Sequence, residues 1–263
     1  MPIASIAWQT DVELCRQQGA QVSEHANHVL VRTAANPTYR WGNFLLVTSP
    51  CAPEDLERWL ERFDAAFPDC RHVAIGLDTP ALADATLAAF GARLEGETTA
   101  ALVTDAPVPA PTSPPAETEL RQLRSAADWQ QAVQLRLDND QNHEPGYGEF
   151  VEAHMRALRG ACEHGHGTWF GAFRDGTMAA GLGIFAAGPA MARYESVDTH
   201  PAHRRQGLAR ALLATAAAHA RAQLAADRLV ILAEPDYFAI DLYRSMGFRD
   251  REKQVKFQRV ATA

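Results

Sequence analysis

Ala239, Leu242, Tyr243 and Met246 recur at the i, i+3, i+4, i+7 spacing that puts side chains on one face of a helix. Comparable apolar spacing predicts amphipathic helices over about 53–67, 81–90, 126–137 and 147–162, and an alanine-rich run predicts another ending near Leu224. Short apolar or alternating runs bounded by Gly, Pro, Asn and Asp predict strands at about 28–33, 43–48, 72–77, 97–103, 119–123, 192–199, 229–233 and 254–260. TWFGAFR and MAAGLGIF flank Asp175-Gly176, a dipeptide that supplies the positive φ angles of a two-residue hairpin turn. The pattern assigns no element before residue 28.

Across residues 105–117, DAPVPAPTSPPAE, the periodicity stops, and five prolines in a short polar stretch favour an extended, solvated connection. We therefore expect a first domain over 1–106, a linker over 107–116 and a second domain over 117–263, both of α/β (α+β) class. With 263 residues, 47% of them apolar, the chain can bury two modest cores. No run approaches the roughly 18 apolar residues of a membrane span, and the opening MPIASIAWQTDVELC lacks a basic segment ahead of an apolar one. A cytoplasmic protein without membrane contact is expected. A net charge of −7 argues against a nucleic-acid partner, since phosphate neutralisation needs a basic face. Cys15, Cys51, Cys70 and Cys162 lack C-x-x-C spacing, which points to reduced thiols. Glu163, His164 and His166 in CEHGHG have no evident further ligand, so no metal is expected.

One segment opposes the acidic balance. RRQGLAR, residues 204–210, carries R-x-x-G-x-A between a strand and the long alanine-rich helix. Backbone amides at a helix N-terminus lack partners and the helix dipole is positive there, so the geometry offers aligned donors to a pyrophosphate. Gly207 lets the backbone come close, Ala209 keeps the first turn slim, and Arg204, Arg205 and Arg210 add positive potential. Neither G-x-G-x-x-G nor G-K-[ST] follows any strand, which disfavours Rossmann and P-loop folds.

These residues resemble the signature Q/R-x-x-G-x-G/A of the GNAT superfamily of N-acetyltransferases, with Arg204, Gly207 and Ala209 in register. EPDYFAIDLYRSMGF is similar to the same family's A-x-x-L-Y-x-x-x-G-F segment. The resemblance implies a tandem GNAT-like fold, a mixed and mostly antiparallel central sheet flanked by helices in two domains. It implies acetyl-CoA as co-substrate, with pyrophosphate on Arg204, Arg205, Gln206, Gly207, Leu208, Ala209 and Arg210, and pantetheine on backbone groups of Val197, Asp198 and Thr199. Tyr243 is implied beside the thioester sulfur, where a phenol can protonate the departing thiolate; a tyrosine merely packed on the helix face is the other reading. Strand alternation places Glu195 with Arg193 and Val197, and a carboxylate on this strand activates the amine in many relatives. A cross-strand salt bridge is the alternative for Glu195. Asp236 is expected to cap the following helix, Gly247 to end it in a left-handed conformation. Pro235 and Asp236 stand where relatives often carry an Asn that touches pantetheine or substrate. Glu144 and Tyr147 fall where relatives build acceptor specificity, and His200 and His203 flank the loop.

Residues 75–93 align without gaps to 231–249 at an offset of 156, with Gly91 on Gly247 and Leu87 on Tyr243. The turn SPCAPED, placed where the phosphate loop should lie, has no glycine, and its Glu54 and Asp55 would repel a pyrophosphate. The first half thus reads as a degenerate GNAT-like domain without a cofactor loop, walling the acceptor pocket or forming a homodimer contact. The expected activity is transfer of an acetyl group from acetyl-CoA to a primary amine by direct attack. The acceptor is a small-molecule or peptide amine: a metabolite, an amino acid, an aminoglycoside or a protein N-terminus. A non-catalytic acyl-CoA-binding regulatory module is the alternative.

Overall fold

The structure, a computed structural model, describes residues 2–78, 82–109, 116–139 and 146–260. Most of the expected linker and the loop carrying Glu144 lie outside the described residues. The chain forms two compact units, one comprising Met1–Ala101, Ala233–Pro235 and Arg251–Ala263, the other Leu102–Leu232 and Asp236–Asp250.

The first unit opens with helix α1 (Ile6–Gln17) and strand β1 (Gln21–Glu24), neither of which the pattern of apolar positions predicts. The start of α1 is fixed by partners remote in sequence. Ser5 Oγ accepts from Trp8 N, the Asp78 carboxylate accepts the amides of Ala4 and Ser5 at 2.7 and 2.8 Å, and Glu252 accepts that of Ala7 at 2.8 Å. Strands β2 (His28–Arg32) and β3 (Asn43–Val47) continue an antiparallel meander, and helix α2 (Leu56–Ala66) crosses to β4 (His72–Leu77), parallel to β3. Helix α3 (Asp84–Gly91) and strand β5 (Glu95–Thr104) follow. The other neighbour of β4 comes from the far end of the chain. Strand β11 (Arg249–Val260) pairs with it antiparallel from Val255↔Leu77 to Val260↔His72. Phe257 is buried with Trp8, Phe44, Trp59, Phe63 and Phe90 in the core of this unit.

In the second unit strand β6 (Glu119–Gln122) leads into α4 (Ala126–Asn139) and α5 (Tyr147–Glu163). A reciprocal cap starts α4: Asp128 N donates to Ser125 Oγ and Ser125 N to the Asp128 carboxylate. That carboxylate also takes two bonds from Arg121, at 2.8 and 3.0 Å, beneath which lies the Phe173 ring. Strands β7 (Gly167–Arg174), β8 (Thr177–Ala186) and β9 (Met191–Thr199) form an antiparallel meander whose first turn has Asp175 at φ 48° and Gly176 at φ 77°, as the dipeptide predicts. Helix α6 (Leu208–Gln223), strand β10 (Arg228–Ala233) and helix α7 (Ala239–Ser245) complete it, giving the strand order β10-β9-β8-β7-β6 with only β9 and β10 parallel. Both units therefore carry a mostly antiparallel sheet with helices against it.

The internal repeat survives in these elements. β4 and β10 span equivalent residues at the offset of 156, each preceded by a crossover helix and followed by a short one. The two glycines differ: Gly247 ends α7 at φ 93°, whereas Gly91 lies within α3, which is closed by Ala92 in a right-handed conformation. Among the described residues no helix is long and apolar enough to cross a membrane.

Candidate active site

Strand β9 is irregular where the chemistry is expected. Gly183 faces Glu195 across the β8–β9 ladder and Gly181 faces Asp198, so two steps on β8 oppose three on β9. Ser196, at φ 50°, occupies the extra position. Partners in register share a face, so Arg193, Glu195 and Asp198 point the same way and Thr199 sides with Tyr194. The simple alternation that pairs Glu195 with Val197 is thereby broken.

Two helices supply partners to that face. Arg136 of α4 donates to Asp198 at 3.0 Å, and His154 of α5 sets its Nε2 3.9 Å from Glu195 Oε1. His154 is 4% exposed and lies nearly parallel to the Phe150 ring, 5.6 Å between centroids, while Glu195 keeps 21% of its side chain open. Burial alone would raise the Glu195 pKa. The nearby His154 ring, with the charges of Arg193 and Arg136, outweighs it and holds the carboxyl down at about 2.

Beyond the Val230↔Arg193 pair, β10 no longer pairs with β9, which continues to Thr199. Six residues of β9 thus present an edge without a strand partner on the β10 side, among the described residues. At the same end of the sheet, Gly207 at φ 80° opens α6, and the first helical bond runs from Ala211 N to Gly207 O. The amides of residues 205–210 donate to no acceptor among the described residues. A Cβ on Gly207 would meet nothing within 4 Å, so the approach to these amides is open. Tyr243, on α7, is buried, and burial above all, with the fields of Tyr237 and Asp198, raises its pKa, so the phenol stays protonated at neutral pH.

Residues 129–248 match the acetyltransferase (GNAT) family model. This chain carries a GNAT acetyltransferase domain. Its chemistry is accordingly acyl transfer. No curated protein sequence matches the chain. Several solved structures share its fold over nearly the whole length. A protein of unknown function from Staphylococcus epidermidis is 9% identical with a TM-score of 0.74, covering 90% of this chain and 92% of its own. A GCN5-related N-acetyltransferase from Kribbella flavida is 17% identical with a TM-score of 0.70, covering 98% and 96%. A tandem GNAT protein from the clavulanic acid biosynthesis pathway is 14% identical with a TM-score of 0.59, covering 98% and 95%.

Within the GNAT domain the loop side chains do not all face outward as free cations. Arg204 donates to Thr199 O and Asn139 Oδ1, both at 3.2 Å, Arg174 donates to Gln206, and Arg210 donates to Ser245 Oγ at 2.6 Å. These bonds tie the loop to β9, β7 and α7, and leave the main-chain amides as the exposed donors. Leu208 is buried, whereas Ala209 is half-buried in the first turn. Asp236 does not cap α7: the helix starts after Phe238 with no side-chain cap, and Asp236 is exposed in the preceding turn. His200 caps its own turn by accepting from Ala202 N, and His164 Nδ1 lies 2.7 Å from Gly160 O. Among the described residues no three His, Cys, Asp or Glu groups cluster as metal ligands.

Arg136 and His154 escape sequence reasoning, because nothing in the spacing along α4 or α5 reveals that they reach β9. In the first unit the equivalent strands behave differently. β3 pairs with β4 to its last residue, and Asp78 N extends the ladder by donating to Val47 O at 2.8 Å. The Trp8 indole lies on Gly76, where a Cβ would come within 2.4 Å of the ring. The turn at Pro53–Asp55 is closed by Asp55, which accepts from Ala52 N at 2.9 Å.

Proposed function

We propose that the chain transfers an acetyl group from acetyl-CoA to a primary amine. The observation that carries this reading is the unpaired edge of β9 beside a helix start whose amides have no internal acceptor. An extended chain ending in a diphosphate finds hydrogen-bond partners along both, with Val197, Asp198 and Thr199 for the pantetheine amides and residues 204–210 for the diphosphate. Glu195, on the same strand and on the face shared with Arg193 and Asp198, is assigned to the acceptor. In the transfer the neutral amine nitrogen bonds to the thioester carbon, the carbon–sulfur bond breaks, the leaving sulfur takes the Tyr243 phenolic proton, and the proton that the nitrogen sheds as it becomes an amide restores the phenol by way of solvent. Asp236, exposed beside this helix, is assigned to the cofactor's outer contacts. The zipped strands and acidic turn of the first unit support a role for it without cofactor.

The test is free-thiol release from acetyl-CoA with ethylamine, glycine, lysine, spermidine, kanamycin and an unblocked hexapeptide. At least one should release thiol, and Tyr243→Phe should lower that turnover about tenfold or more while calorimetric acetyl-CoA affinity stays unchanged. Binding of acetyl-CoA with no release from any amine would establish the non-catalytic binding module instead.

A further inference from the structure

An amine of ordinary basicity, with a pKa of about 10, must shed a proton before it attacks. Glu195 shares its strand face with Arg193 and Asp198, and the Arg193 and Arg136 cations near it favour its ionised form, which makes it a poor final holder of that proton. The geometry behind the carboxylate supplies a better resting place. His154 is 4% exposed, its ring stacked on Phe150 and its Nε2 3.9 Å from Oε1. A neutral imidazole offers one ring nitrogen as a proton acceptor.

We propose that His154 is the terminal proton acceptor of the reaction, with Glu195 carrying the proton from amine to imidazole. The inference rests on the acetyl-transfer reading. The ammonium N–H bond breaks, its electron pair stays on nitrogen for attack, and the proton passes through the carboxylate to the ring, which becomes imidazolium. The 3.9 Å separation is spanned by a small carboxylate rotation or by one water. After product release the imidazolium returns the proton to solvent. The charged and titratable groups around the pair are Arg136 from α4, Tyr147 from α5, and Arg193 and Asp198 from β9. The bulge at Ser196 matters here because it places Asp198 on the Glu195 face, where it engages Arg136.

The experiment uses the full chain and whichever amine of the panel releases thiol fastest, with kcat/KM followed from pH 6 to pH 10. His154→Gln keeps an amide beside Glu195 but cannot hold the proton. We expect its kcat/KM to fall about 10- to 100-fold at pH 7, the deficit closing as the pH nears the amine's own pKa, with acetyl-CoA Kd unaltered. Glu195→Gln should trace the same curve, and the double variant should be no slower than either single one, as for two members of one relay. A His154→Gln enzyme reduced by one factor at every pH, or unchanged, overturns the proposal. If that variant loses acetyl-CoA binding, Glu195→Gln decides: a profile parallel to wild type overturns the relay. A wild type inactive with all six amines sinks the acetyl-transfer reading itself, a result distinct from any of these.

Discussion

Because Ser196 takes a left-handed conformation inside β9, the partners of Glu195 differ from those that alternate-residue counting assigns. This explains what could and could not be read at the scale of single residues. Tyr243 and Gly207 announce themselves through short-range spacing and stand where that spacing puts them, on a helix face and at a helix start. His154 and Arg136 reach β9 only once the tertiary fold is made, so no local pattern encodes them. Asp128 shows the same limit, since no local pattern reveals its bidentate pairing with Arg121. The hydrogen bonds from Arg121, working against burial and aided by the amides of Arg124 and Ser125, hold the Asp128 pKa well below its ordinary value of 3.8. A carboxylate depressed in the folded state contributes fully above its ordinary pKa and loses the contribution as pH falls through the folded one. Asp128→Ala should therefore cost about 2–3 kcal/mol in urea unfolding at pH 7, and the difference from wild type should shrink below about pH 4.

At the scale of elements, strong periodicity marks the strands and helices closely. β4 spans the expected residues 72–77, and α4, α5 and α6 differ from expectation by a residue or two at their ends. α1 and β1 were not legible because their stability is borrowed: the entry to α1 is held by Asp78 and its first turn by Glu252, carboxylates 73 and 245 residues away along the chain. α7 begins at Ala239, where its apolar spacing begins, with Tyr237 and Phe238 exposed in the turn before it and Asp236 not capping. The start of α6 invites a direct test. Gly207 sits at φ 80° with open space around it, so a β-branched side chain meets no steric wall and is opposed only by the backbone conformation. That strain, about 1–2 kcal/mol, is relieved by turning the first helical amides. Gly207→Val should then weaken acetyl-CoA binding about tenfold by calorimetry with little change in melting temperature.

For the molecule as a whole, the tandem fold was legible in the 156-residue offset, which β4 and β10 keep because duplicated elements leave duplicated spacing. The destination of the last strand was not visible: residues 254–260 read as one more strand of the second half, yet they lie in the first compact unit, where Phe257 is buried in the core and pairing with β4 runs over six residues. Pairing partners of a strand are set by topology and leave no trace in its own alternation. Removing residues 251–263 should consequently lower the melting temperature of the first unit and increase aggregation, since β4 then offers an open edge and the α1 cap loses Glu252. Differential scanning calorimetry with light scattering checks this. Excising residues 1–106 leaves β11 without β4, so that truncation perturbs the remaining chain in a way that separable domains would not.

The position of β11 also bears on biosynthesis. Domains usually mature in the order they leave the ribosome, but here the amino-terminal unit lacks a structural strand until translation has passed β11. Nascent chains halted before residue 251 would hold an unfinished first unit however long they waited, so its completion waits on a segment made after the whole of the second unit.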